Sequence, residues 1–176
     1  MTPEPNDAAA PSWPLCDLPM SAETTSFIDT QITHWITSEL AMSASFIAVD
    51  RPEPGELPDA MRRWYIRMRG DTKSFITVWL TLNQRTLAYE TYVLPAPEEN
   101  VEATFAYLLR RNIEFTGAQF GIGDEDGLYL TGSLPLQAVW ADHLPEELDR
   151  IMGTLWACVE RVFTDILHLG WASRFL

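Results

Sequence analysis

Few residues of this chain have the type and spacing that chemistry requires. The three histidines, His34, His143 and His168, lie far apart in the chain. No Cys/His spacing matches a zinc site, so no metal ligand is assigned. Asp124-Glu125-Asp126 is a run of carboxylates, but Gly127 follows it. A hairpin turn accounts for the run, since a calcium loop would need more ligands and a late Glu. Gly132-Ser133 lacks the glycine-flanked elbow of a nucleophilic serine. Cys158 falls beside the apolar face of a predicted helix, where a buried inert thiol is usual. Gly121-Ile122-Gly123 reads as strand with no helix after it, which excludes a phosphate loop. Glu90 is the best single acid for proton transfer, between Tyr89 and Thr91. Its plainer expectation is a partner for Arg67 or Arg69 across a sheet. No catalytic, cofactor-binding or metal residue is assigned, and the chain is expected not to be an enzyme.

What remains is charge and aromatic content. The chain has 176 residues, a net charge of −13, 47 % hydrophobic residues, seven Trp, eight Phe and five Tyr. That supports a real core and one domain, and excludes wholesale disorder. Net acidity repels phosphate backbones, so no nucleic acid is expected as a partner. Residues 1–60 hold ten acids and one base, residues 61–95 two acids and six bases, and residues 96–176 thirteen acids and five bases. The middle segment is thus +4 between flanks of −9 and −8. Either it grips an acidic partner, or it matches the chain's own acids or a second subunit.

The first 20 residues contain Pro3, Pro5, Pro11, Pro14 and Pro19 and no Lys or Arg. They read as a disordered, proline-rich acidic tail, with residues 21–176 as a single domain. Trp13 to Leu18 is either a docking segment or a set of stray apolar residues. With no long apolar run and two unrelated thiols, Cys16 and Cys158, the expectation is a cytoplasmic protein off the membrane.

The elements that must position any site follow from periodicity. Ser21 can cap a helix whose stripe is Phe27, Ile28, Ile32, Trp35, Ile36 and Leu40, ending near Met42. Ser45 to Val49 is a short extended run or a strand, and the prolines after Arg51 make a loop. Three period-two segments then form an antiparallel meander: 63–69, 75–82 and 86–94. Alternation puts Tyr65, Arg67 and Arg69, then Phe75 and Trp79, then Glu90 and Tyr92 opposite the aliphatic series. A helix follows Pro95 and Pro97, with Glu98 and Glu99 in its first turn and Val101, Phe105, Leu108 and Leu109 as its apolar face. The segment 117–123, with Ala118, Phe120 and Ile122 on one face, and the segment 128–134 pair as a hairpin. The last helix starts at Pro145, carries Leu148, Ile151, Met152, Leu155, Val159, Val162, Phe163 and Ile166, and closes at Gly170 in a left-handed cap. The fold class is α+β, in the order α-β-β-β-α-β-β-α.

This order comes with the strings Ile76 to Leu80, Tyr89 to Asn100, Leu108 to Asn112, Phe120 to Ile122, Tyr129 to Gly132 and Pro145 to Arg150. Together they resemble the actinobacterial form of the YbjN family over residues 21–175, most distinctively from Tyr89 to Asn112. That family is described as bacterial sensory transduction regulators, and its domain is similar to type III secretion chaperones. The resemblance implies a chaperone-like fold that presents apolar grooves and dimerises, with no cofactor and no fixed catalytic residues. Leu144 departs from the small capping residue usual before the Pro-Glu-Glu-Leu-Asp-Arg run, leaving Asp142 or His143 as the cap.

Two functions are therefore expected ahead of an enzyme. One is a protein-binding regulatory module, a homodimer, with aromatics on both faces of the meander: Trp64, Trp79 and Tyr89 against Tyr65, Tyr92 and Phe75. Its partner-binding residues would be Tyr65, Arg67, Arg69, Phe75, Trp79 and Tyr92, with Arg67, Arg69 and Lys73 steering an acidic partner. The alternative is a regulator that binds a small ligand between the sheet and the first helix.

Overall fold

A computed structural model describes residues 21–53, 55–58, 61–139 and 141–174. The tail and the Trp13 to Leu18 segment lie outside the described residues. Helix α1 (Ala22–Met42) starts where Ser21 accepts a hydrogen bond from the Thr24 amide at 3.1 Å. Four strands follow: β1 (Phe46–Asp50), β2 (Arg62–Arg69), β3 (Phe75–Leu82) and β4 (Thr86–Leu94). Then come α2 (Val101–Arg111), β5 (Gln119–Ile122), β6 (Leu128–Pro135) and α3 (Leu144–Gly170). The strands form one antiparallel sheet in the order β1-β2-β3-β4-β6-β5. The class is α+β. The extended run after α1 is a full strand, so the meander has four strands rather than three.

Period two decides which face is covered. Trp64, Ile66 and Met68 of β2, Ile76, Val78 and Leu80 of β3, Leu87, Tyr89 and Val93 of β4, and Leu128 and Leu130 of β6 are all buried. They meet Ile28, Ile32 and Ile36 of α1 and the ten-residue buried stripe of α3, from Leu144 to Gly170. Gly132 lies in this layer for a steric reason: a Cβ there would sit 2.3 Å from the Tyr89 ring. The Tyr89 hydroxyl donates to the Gly117 carbonyl at 2.5 Å.

Several expectations give way to tertiary contacts. Glu98 and Glu99 precede α2: their amides donate to the Gly170 carbonyl at 3.0 and 2.9 Å, and Asn100 takes a left-handed φ of 48° before the helix begins. Gly170 is not a left-handed cap. It ends α3 in helical conformation because it packs on Pro97, 3.1 Å from where its Cβ would be. Leu144 is itself the buried first residue of α3, after His143, which makes no side-chain cap. On α2 only Thr104 and Leu108 are buried, while Val101 and Leu109 are 42 % and 65 % exposed. The helix touches the rest of the domain along one narrow side. Ile122, on one face with the buried Ala118 and Phe120, is 52 % exposed at the end of the edge strand β5.

Candidate functional site

Among the described residues no helix covers the second face of the sheet, and β2, β3, β4 and β6 lay out its side chains as a grid. Tyr65 pairs with Trp79, Trp79 with Glu90, and Glu90 with Thr131. One step along, Arg67 pairs with Thr77, and Tyr92 with Tyr129. Arg63 and Thr81 bound the grid at one end, Arg69 and Phe75 at the other. All six residues expected to bind a partner, Tyr65, Arg67, Arg69, Phe75, Trp79 and Tyr92, lie on this one face. Trp79 lies with Tyr65, not with Trp64 and Tyr89, because residue 79 has the parity of Phe75.

Four of the rings form a continuous row. Tyr65 meets Trp79 edge-on with centroids 6.3 Å apart, Trp79 meets Tyr129 at 6.3 Å, and Tyr129 meets Tyr92 edge-on at 5.3 Å. Such edge-to-face pairs hold one another in place and leave each ring partly in water. Tyr129 was not among the expected residues. The signal for it was its position between the inward Leu128 and Leu130, which turns it outward. Phe75 is 55 % and Tyr92 39 % exposed. Burial, then Tyr129 and Glu125, push the Tyr92 hydroxyl up from its ordinary value.

The cations of this face stand in one column. Arg63 donates from Nε to the Thr81 hydroxyl at 2.9 Å, which explains why Thr81 is buried on an otherwise open surface. Arg67 and Arg69 are exposed, and neither takes part in an ion pair among the described residues. Glu90 is not their partner: it stands beside Trp79 and Thr131, two strands from Arg67. Lys73 does not join the column either. Its ammonium donates to the carbonyls of Tyr92 and Val93 at 2.5 and 2.9 Å, near the Phe163 ring. Burial brings its pKa down to about 8 against the pull of Glu160. The Glu160 carboxylate, from α3, accepts the amides of Asp71 and Thr72 and the Thr72 hydroxyl, and Trp156 of α3 donates to the Arg69 carbonyl at 3.0 Å. The β2–β3 turn is thereby fixed to α3, and the ends of β2 and β3 are held where Arg69 and Phe75 project.

Two other surfaces stand out. Leu109, Ile113 (88 % exposed) and Ile122 form an apolar patch around a groove of about 170 Å³ between α2 and β5, lined by Phe105, Leu108 and Phe120. A second groove, of about 320 Å³, lies between α1, the start of β1 and α3, with Met68, Met152, Trp156, Glu39 and Asp149 in its lining. Asp149 accepts from the Trp35 indole at 2.8 Å. Cys158 is buried, and burial pushes its thiol up, away from reactivity. No helix of the described residues is long and apolar enough to cross a membrane.

No family model matches the chain. It is 32 % identical over 122 residues to an uncharacterized protein of Mycobacterium bovis and, equally, to one of Mycobacterium tuberculosis. An uncharacterized protein of Mycobacterium leprae is 27 % identical over 135 residues. These matches cover 69 % and 77 % of this chain, and 63 % and 70 % of the relatives. The chain thus spans less than two thirds of the first two relatives' length. Among solved structures, a chain of the HopA1–SchA chaperone–effector complex matches with a TM-score of 0.49 and 15 % identity, over 82 % of this chain and 98 % of that one. By sequence, this chain is similar to uncharacterized mycobacterial proteins.

Proposed function

We propose that this chain is a non-enzymatic regulatory module that docks a segment of a partner protein on the open face of its sheet. One observation carries this: the row of four partly exposed rings, with exposed Phe75 and the arginine column of β2 on the same face, which no helix of the described residues covers. Aromatic and arginine side chains are the residues that concentrate binding energy at interfaces. The resemblance to the YbjN family agrees with a regulatory role. The test is affinity capture from native cytoplasm with the full chain as bait. A polypeptide retained by the wild type and by His34→Ala, but lost with Trp79→Ala, supports the reading. Equal retention by all three baits contradicts it.

The module acts as a homodimer in this reading, and the α2–β5 patch is the surface that supports pairing. Two copies that meet through this patch would bury Leu109, Ile113 and Ile122, which are exposed in one copy. A second reading, a small ligand between the sheet and the first helix, rests on the groove that holds Trp156, Glu39 and Asp149. A metabolite panel that raises the melting temperature of the wild type but not of Gly153→Trp, whose side chain would fill that groove, favours it.

A further inference from the structure

The open face is about 20 Å long from Arg63 to Arg69 and about 14 Å wide from β2 to β6, given the strand rise and spacing. That is roughly 300 Å², well short of the ~800 Å² per partner that a stable protein pair covers. The face suits a short segment better than a second copy. Its chemistry is graded across the strands. The β2 column is Arg63, Arg67 and Arg69, interrupted by Tyr65, while Glu90 and the acidic turn at 124–126 lie toward β6 and β5. Thr77 is a small side chain set between large ones on β3. Phe75 and Trp79 flank it along β3, Arg67 is its partner on β2, and the β3–β4 register continued one step beyond Val78 and Thr91 brings Tyr92 to its other side. An apolar side chain from outside finds its low point there, between rings, with a guanidinium in reach of the next residue along.

Resting on the docking reading above, we infer that the occupant is a short extended segment of a partner protein in which an apolar residue is flanked by carboxylates. The apolar residue sits over Thr77, and the carboxylates meet Arg67 and Arg69. Arginine offers a planar fork matched to carboxylate, so charge and geometry both favour an acidic neighbour. A basic segment would face the arginines with like charge and would leave them unpaired.

The test is an NMR titration of the full chain with the capped pentapeptide Ser-Glu-Leu-Glu-Ser and with its Gln and Lys counterparts. The expected result is amide shifts confined to 63–69 and 75–81 with the Glu peptide. Roughly tenfold weaker binding is expected for the Gln peptide, about 1.4 kcal/mol, and none for the Lys peptide. Thr77→Trp fills the low point on a surface position and is expected to cost a similar factor, as is Arg67→Gln, with each variant's spectrum otherwise unchanged. If the Gln peptide binds as tightly as the Glu peptide, the acidic assignment falls while docking stands. If none of the three moves those amides, both fall. If the same amides shift with protein concentration alone, the face belongs to a second copy and the segment is ruled out.

Discussion

Lys73 stands in the basic middle of the sequence, yet folding withdraws its charge from the surface. Nothing in its local sequence reveals this, because a turn residue's direction is set by what packs on the turn, here Phe163 and Glu160 of α3. Its pKa of about 8 lies below the ordinary 10.5, so the folded protein releases this proton before the unfolded chain does. Stability is therefore held down below pH 8 and rises as pH climbs from about 8 toward 10. Urea unfolding at pH 7.5 and 8.5 is expected to show the higher free energy at pH 8.5, below the range in which the raised Cys158 thiol opposes the rise, and Lys73→Met is expected to remove that difference. Above pH 10 the trend turns, because burial holds the Tyr89 hydroxyl above its ordinary value and the unfolded chain ionises first. The open-face residues were, by contrast, legible one by one. Strand parity placed Tyr65, Arg67, Arg69, Phe75 and Tyr92 opposite the inward residues of their strands, whereas Trp79, grouped with Trp64 and Tyr89, stands on the other face from them. What parity could not supply was strand order, which brings Tyr129 from the far hairpin into the ring row beside Tyr92.

The helices and strands themselves followed their sequence signals closely, from the Ser21 cap to the long stripe of α3. The misreadings lie at ends and edges, where one neighbour decides. Glu98 and Gly170 both have a local reading, and each is overruled by the other through the Glu98 amide to Gly170 carbonyl bond. Ile122 alternates like a core residue but belongs to an edge strand that outruns its cover. The tie between α3 and the β2–β3 turn gives a prediction at this scale. Burial raises the Glu160 pKa, but the bonds from Thr72, Lys73 and Asp71 outweigh it and hold the carboxylate below its usual range. Its stabilisation is present above the unfolded carboxylate's pKa and lost as pH falls through the folded one. Glu160→Gln is expected to cost about 1–3 kcal/mol and to speed amide exchange at 71–73 while leaving α1 unchanged. Within the sheet, Gly132→Ala pushes a methyl into the Tyr89 ring and the Gly117 carbonyl, 2.3 and 2.4 Å away, and overpacking of this kind costs about 1–3 kcal/mol. Thermal unfolding of the variant measures it.

For the molecule as a whole, the −13 net charge and the binding surface point in different directions. The acids lie in the flanking segments, while β2 carries its arginines to a face lined with rings. In the proposed function the two exposed surfaces divide the work: the α2–β5 patch would pair copies, and the open sheet face would take a partner segment. Sedimentation equilibrium is expected to find a dimer for the wild type and a monomer for Leu109→Glu with Ile113→Asp, with capture through the sheet face retained. The most direct measurement of the central claim is photo-crosslinking in living cells from a benzophenone side chain at Phe75, with His34, exposed on α1, as the control position. The account predicts a heterologous adduct from position 75, absent from position 34 and lost when Arg67→Glu is added. An adduct equally strong from both positions, or from position 75 only between copies of this chain, would contradict it.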